Sequence, residues 1–237
     1  MNTLAIMQPY FFPYPGYFSL IKHVDEFIIF DTAQFIRHGW VDRNRILNEG
    51  NPLYIRPTKI KHSNRSPINE ILLKNNEQWK AKIIAQLTTY RKAPYFEETK
   101  SILDNIFEED IQRLVNLNKM SIQVICNYLD IKTPIKIWSE MDLTIGEVKA
   151  PDEWALRICE AMKAQKYINP IGGLELFDSK KYEAMGIDIQ FLDCLPEYNQ
   201  FDKDFIPGLS IIDMLMFNSK DQINQMLDET TFSRNDS

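Results

Sequence analysis

The chain has 237 residues, 44% of them hydrophobic, with a formal net charge of −6 and a pI near 5.2. That length buries a sizeable core as one large domain or a domain with a subdomain, and the acidic balance argues against general nucleic-acid binding, whose footprint is a basic excess. Three cysteines, Cys126, Cys159 and Cys194, lack CxxC or histidine-partnered spacing, which speaks against a disulfide scaffold or structural zinc.

Residues 1–30 lack the basic start and unbroken apolar core of a signal peptide, and no run reaches the roughly 20 apolar residues that span a bilayer, so a cytoplasmic protein with no membrane span is expected. The first element is a strand at Leu4–Met7, followed by Gln8-Pro9-Tyr10-Phe11-Phe12-Pro13-Tyr14-Pro15-Gly16-Tyr17-Phe18. Its three prolines fix their own φ and hold the preceding residues extended, so this stretch is neither helix interior nor central strand but a shaped loop. A helix is predicted from about Tyr17 and a second strand over Glu26–Asp31. In open α/β sheets ligands sit at the carboxyl ends of strands, which makes the aromatic loop a candidate pocket wall. A hydrophobic plug over a sheet edge is the other reading.

Trp40–Ile46 leads through the turn signal Asn48–Pro52 to a third predicted strand at Leu53–Pro57. Basic groups concentrate here: Arg37, His38, Arg43, Arg45, Arg56, Lys59, Lys61, His62 and Arg65, with Asn44 among them. Guanidinium forks suit phosphate or carboxylate; a solvated basic surface anchored by Trp40 and Ile46 is the alternative. If Arg43–Ile46 is helical or a tight turn, Arg43 and Arg45 face different ways. From Ile68 to Asp130 the apolar positions recur with helical period, and Trp79, Tyr90, Tyr95 and Phe96 read as packing residues.

The remainder alternates strand and helix: a strand at Pro134–Trp138, a helix over Asp152–Gln165, strands at Tyr167–Pro170 and Ile187–Leu192, and a last helix capped by Ser210. The expected fold is α/β, a mixed or mostly parallel sheet flanked by helices with a helical insertion. Residues 1–67 and 131–228 would form the α/β core, 68–130 a helical subdomain and 229–237 a flexible tail. Gly172 and Gly173 join a strand to a predicted helix, where a backbone amide can approach an anion; an ordinary tight turn explains them equally well. Asp213, three residues after Ser210, reads as part of a helix cap before it reads as a catalytic group.

The segments MQPYFFPYPGYFSLIKHVDEFIIFDTAQF, WVDRNRI, YRKAPYF, NPIGGLELF and FIPGLSIIDMLMFN, in that order along most of the chain, resemble the WbqC-like family. Its members are typically encoded among genes for bacterial O-antigen and related surface polysaccharides. The resemblance implies a transferase that attaches an amino acid or acyl group to the amine of a nucleotide-linked amino sugar, with a nucleotide-linked sugar as partner. The acyl or aminoacyl donor stays open, and no cofactor or metal is assigned. Two alternatives stand: a non-catalytic nucleotide-sugar-binding accessory protein, and a nucleotidyltransferase-like enzyme. Against the latter, Pro13-Tyr14-Pro15-Gly16-Tyr17 occupies the place where nucleotidylyltransferases carry two histidines that stabilise a pentavalent phosphate.

Acyl transfer to an amine needs a base and donors around the oxyanion. His38 is the candidate base, beside a predicted strand end, with Asp31 to orient it, bind a sugar hydroxyl or simply begin the turn. Gln8, at the end of the first strand, joins the substrate-binding set; Arg43 and Arg45 would grip a pyrophosphate, Asn44 a hydroxyl or carbonyl, and Tyr14 or Tyr17 would stack on a base, with Gly172 and Gly173 offering backbone amides.

Overall fold

The computed structural model describes residues 2–60, 62–63, 65–74, 77–201 and 204–235. Lys61 of the basic cluster lies outside the described residues, as do the last two residues of the expected tail. The chain runs β1 (Thr3–Met7), α1 (Pro15–Lys22), β2 (Glu26–Ile29), β3 (Asn44–Asn48), β4 (Asn51–Ile55), α2 (Glu77–Gln86), α3 (Phe96–Glu108), α4 (Leu114–Tyr128) and β5 (Ile135–Ile137). It continues with α5 (Glu153–Ala161), β6 (Lys166–Pro170), α6 (Ser179–Ala184), β7 (Asp188–Asp193), α7 (Ile211–Phe217), α8 (Lys220–Asp228) and β8 (Thr231–Ser233).

Six strands form one sheet in the order β5-β2-β1-β6-β7-β8, parallel except for the last, antiparallel pair β7–β8. The fold is therefore α/β with a mostly parallel sheet. β1 lies in the middle because its residues alternate between two buried faces. Leu4 and Ile6 join one apolar cluster with Ala155, Leu156 and Cys159 of α5 and Tyr182 of α6. Ala5 points into the other, larger cluster, with Phe18, Leu20 and Ile21 of α1 and side chains of α2, α3, α4, α7 and α8. Helices on both faces are what a parallel sheet requires, since neither face can be left wet. Trp79, Ile83, Leu103, Ile106 and Ile122 of the helical segment share that larger cluster with Phe27 and Ile137 of the sheet.

Three segments differ from the sequence reading. Arg45 and Ile46 belong to a strand, not a helix or tight turn: β3 pairs antiparallel with β4 as a separate two-stranded hairpin turned at Glu49-Gly50, both with positive φ (50° and 82°). Residues 71–74 are extended instead of helical, with bridges Lys59 to Leu73 and Leu72 to Arg113. Thr231–Ser233, within the segment expected as a tail, adds the edge strand β8.

The sheet winds outward from β1 through β2 to β5, then returns to β6 on the other side of β1. The strand order reverses at this point, the chain leaving β1 on one side and returning on the other, and a crevice opens at the carboxyl ends of β1 and β6.

Candidate functional site

The crevice is filled on one side by the aromatic loop, and the loop's shape follows from where its backbone carbonyls go. Tyr17 donates its hydroxyl to the Gln8 carbonyl at 3.0 Å, and Asn118 Nδ2 donates to the Pro9 carbonyl at 2.9 Å and to Val41 at 2.8 Å. Asn44 Nδ2 reaches the carbonyls of Phe11 (3.1 Å) and Phe12 (2.7 Å), Ser210 Oγ also donates to Phe12, and Ile211 N donates to Pro13. Phe12 is held at φ 42° by these contacts, a conformation that a bulky residue adopts only when its surroundings over-determine it. Phe11 and Phe12 are fully buried, stacked edge-on at 4.8 Å, while Tyr10 and Tyr14 stay half-buried and face the crevice. The loop is thus plug and wall at once, its rings divided between core and cavity.

The cavity has a volume of about 1240 Å³. Its floor is Met7, Gln8 and Gly16 after β1 and Phe30 after β2; Asn169–Gly173 after β6 and Asp193–Leu195 at the end of β7 form the far side. Gly16 is obligatory for packing, since a Cβ there would stand 2.6 Å from the Tyr14 ring and 2.8 Å from the Cys194 carbonyl. The lining is predominantly apolar and carries one cation, Arg45, and one carboxylate, Asp193. Burial holds the Tyr14 phenol up, to about 12, reinforced by Tyr10, Cys194 and Asp193, and raises Tyr10 as well. Both are neutral donors at physiological pH, not bases. Burial likewise raises the Cys194 thiol, which disfavours the nucleophilic thiolate.

Six of the ten residues expected at the site line this cavity: Gln8, Tyr14, Asn44, Arg45, Gly172 and Gly173. Their roles differ. Asn44 is 3% exposed and committed to structure, its Nδ2 on the loop and its Oδ1 accepting from Arg45 N at 2.8 Å. Arg45 donates to the Gly208 carbonyl at 3.1 Å and lies 5.3 Å over the Trp40 ring. A Cβ on Gly173 would stand 2.0 Å from Asn169 Nδ2, so that glycine admits a neighbouring side chain, whereas a Cβ on Gly172 meets nothing within 4 Å.

The other four lie outside the lining. Tyr17 is buried in the core, beside Phe27 at 5.2 Å. Asp31 is fully buried and accepts from Ser139 N at 3.0 Å and Ser139 Oγ at 2.5 Å, so both its oxygens serve a loop anchor. Arg43 stacks on Tyr54 at 4.4 Å and donates to the His38 carbonyl. His38 is exposed, at φ 64°, on the segment that also carries the lining residues Ile36 and Trp40. Among the described members of the basic cluster, Arg45 alone lines the cavity together with Asn44.

Sequence reasoning missed Asp193, Asn169 and Trp154. Asp193 directly follows the predicted strand Ile187–Leu192 and ends the observed β7, a carboxyl-end position like that of Gln8. Asn169 precedes the glycine turn and is held by Tyr167 Oη at 2.9 Å. Trp154, 38% exposed at the start of α5 and 5.2 Å from Phe30, gave no periodic signal.

Asp213 is fully buried and accepts from Tyr90 Oη (2.6 Å), Tyr198 Oη (2.8 Å) and Gln200 Nε2 (2.6 Å). Ser210 caps α7 through Ile212 N at 3.2 Å, but the Asp213 carboxylate serves this network and not the cap. Burial raises its pKa against the pull of the three donors.

A family model described as "WbqC-like protein family" matches residues 8–225. A protein of Mycobacterium tuberculosis, described as uncharacterized, is 30% identical over 219 residues, covering 91% of this chain and 93% of that relative. No solved structure matches. Among the described residues no helix is long and apolar enough to cross a membrane, and no cluster of three histidine, cysteine or acidic side chains is arranged to hold a metal ion.

Proposed function

Because the chain belongs to the WbqC-like protein family, we propose that it transfers an acyl or aminoacyl group to the amine of a nucleotide-linked amino sugar in bacterial surface-polysaccharide (O-antigen) assembly. The observation that carries this reading is the cavity at the point where the strand order reverses beside β1, with one carboxylate and one guanidinium in a wall of aromatic and aliphatic groups. Asp193 suits the ammonium of an amino sugar, and Arg45 a phosphate or carboxylate oxygen. Tyr10 and Tyr14 offer ring faces and neutral hydroxyl donors. The volume of about 1240 Å³ exceeds the roughly 300–1,000 Å³ that holds one drug-sized ligand, which leaves room for donor and acceptor together.

In the reaction the deprotonated amine attacks the carbonyl carbon of an activated acyl donor, such as a thioester. The C–N bond forms, the bond to the carrier breaks, and the carrier departs with the electron pair. The proton shed by nitrogen passes to Asp193 and on to the departing carrier. The raised thiol of Cys194 favours this direct route over an acyl-enzyme.

The test is incubation with nucleotide-linked amino sugars and a panel of acyl and aminoacyl donors, followed by mass spectrometry of the sugar. The expected result is a gain equal to the acyl group, lost in Asp193→Asn without loss of fold. The second reading, a nucleotide-sugar-binding accessory protein, is favoured by the absence of His23, His38 and His62 from the lining. It predicts sugar binding with no mass gain for any donor.

A further inference from the structure

Ten large apolar side chains are substantially exposed among the described residues, and five of them, Ile36, Trp40, Trp154, Leu176 and Leu195, surround this one cavity. Single exposed apolar residues are ordinary, but these converge from four separate stretches of chain: the segment after β2, the start of α5, and the loops after β6 and β7. Leu195, Ile36 and Leu176 are 68%, 62% and 58% exposed, on a protein that is otherwise acidic and wet. Inward of this collar the wall continues as Ile6, Met7, Phe30 and Leu192. The charges of Arg45 and Asp193 cancel, and part of the Arg45 guanidinium is already spent on Gly208 and Trp40. A sugar nucleotide needs polar partners for its phosphates and hydroxyls, and burying such groups against the apolar remainder of the cavity would cost free energy without compensation. That remainder matches a ligand with few polar atoms.

We propose that the group donor carries a hydrocarbon chain of the medium-chain fatty-acyl class, and that the chain lies in the collar and the apolar wall beneath it. This rests on the transferase reading for the word donor, and on the cavity alone for the chain. Trp40 and Trp154 stand at the mouth, whereas Trp79 and Trp138 are 5% and 8% exposed, so tryptophan emission reports occupancy.

The experiment titrates the intact protein with hexanoate, octanoate and decanoate below their micelle concentrations. Emission should shift to the blue, with affinity rising on the order of tenfold for each two-carbon step, the value of two buried methylenes. Leu176→Glu and Leu195→Glu place charges on exposed collar positions and should flatten that dependence while leaving the melting temperature unchanged. Affinity independent of chain length overturns the proposal, as does a dependence that survives both substitutions. A shift caused by phosphatidylcholine vesicles and by none of the monomeric acids also overturns it, in favour of a membrane-docking face. Chain-dependent binding with no acylation of any amino sugar upholds the hydrocarbon site and removes the transferase reading. Acylation that runs as well from two-carbon as from ten-carbon donors does the reverse.

Discussion

After β1 the cavity wall is held by donors from four places in the chain, Tyr17, Asn44, Asn118 and the Ser210–Ile211 turn, which satisfy five carbonyls between Gln8 and Pro13. After β7 the wall is a long connection to α7, tied down chiefly where Tyr198 and Gln200 meet Asp213. Gln200 passes the restraint on through Ile206 N, which donates to its Oε1 at 2.8 Å. The first wall is braced redundantly, so no single donor sets its shape. The second rests mainly on one carboxylate, with Arg45 holding its far end through the Gly208 carbonyl, and that carboxylate also anchors Tyr90, which accepts from Leu47 N of β3 at 2.6 Å. Wall, hairpin and helix meet at one buried carboxyl group.

The sharpest way to break this contrast is Asp213→Ala, which strands the Tyr90 and Tyr198 hydroxyls, leaves Gln200 Nε2 only its long bond to the Ile206 carbonyl, and should cost about 3–5 kcal/mol, read by chemical denaturation. A loss under about 1 kcal/mol would mean that the β7 wall stands without its tether. The pH dependence supplies an independent check. Because burial lifts the Asp213 carboxyl above its unfolded value, the folded state binds this proton more tightly than the unfolded chain does. Its contribution to stability is therefore largest at low pH and declines as pH rises from the ordinary carboxylate range through the folded value. Subtracting the Asp213→Asn stability curve from the native one isolates that decline; a difference that grows with pH would reverse the sign and refute the assignment.

Asn44→Ala tests redundancy on the other wall. The Phe11 carbonyl loses its side-chain donor, but Phe12 keeps Ser210 Oγ and Phe11 N keeps the Trp40 carbonyl. The expected cost is about 1–3 kcal/mol, less than for Asp213. Equal losses would erase the distinction between the walls. The glycine pair across the crevice offers a smaller comparison. Gly173→Ala drives a methyl against Asn169 and should cost about 1–3 kcal/mol, while Gly172→Ala enters open space and should stay within about 0.5 kcal/mol. If Gly172→Ala leaves stability intact but weakens ligand binding, that face of the turn is a contact surface.

What could be read in advance follows the same division. The strands β1, β2, β6 and β7 announced themselves because both faces of a parallel sheet are buried, and runs such as Leu4–Met7 carry that burial as composition. The loop after β1 was legible because proline constrains backbone locally. The hairpin strand β3 was not, since Asn44-Arg45-Ile46-Leu47-Asn48 has no apolar alternation; its Asn44 and Arg45 serve contacts with the loop and Trp40 that only the folded chain supplies. Asp213 looked like a cap because its partners Tyr90 and Tyr198 lie 123 and 15 residues away. The grouping of Gln8, Tyr14 and Gly172 followed from strand ends and that of Arg45 from the local concentration of guanidinium groups, whereas the expected pairing of His38 with Asp31 assumed a side-chain contact; Asp31 instead holds Ser139.

The two arginines give the finest test of which side chains serve a ligand. Both have a buried Nε without a hydrogen-bond partner, and both stack on an aromatic ring, Arg43 on Tyr54 and Arg45 on Trp40. An account based on lost local contacts therefore predicts similar stability changes, within about 1 kcal/mol, for either alanine substitution. Placement alone separates them, since Arg45 lines the cavity and Arg43 does not. Arg45→Ala should weaken binding of a nucleotide-linked amino sugar on the order of tenfold, the value of one charge-assisted hydrogen bond, and Arg43→Ala should leave it unchanged, as measured by calorimetric titration. Equal weakening by both would extend the binding surface around the hairpin edge to Tyr54, and weakening by Arg43→Ala alone would move the site out of the cavity altogether.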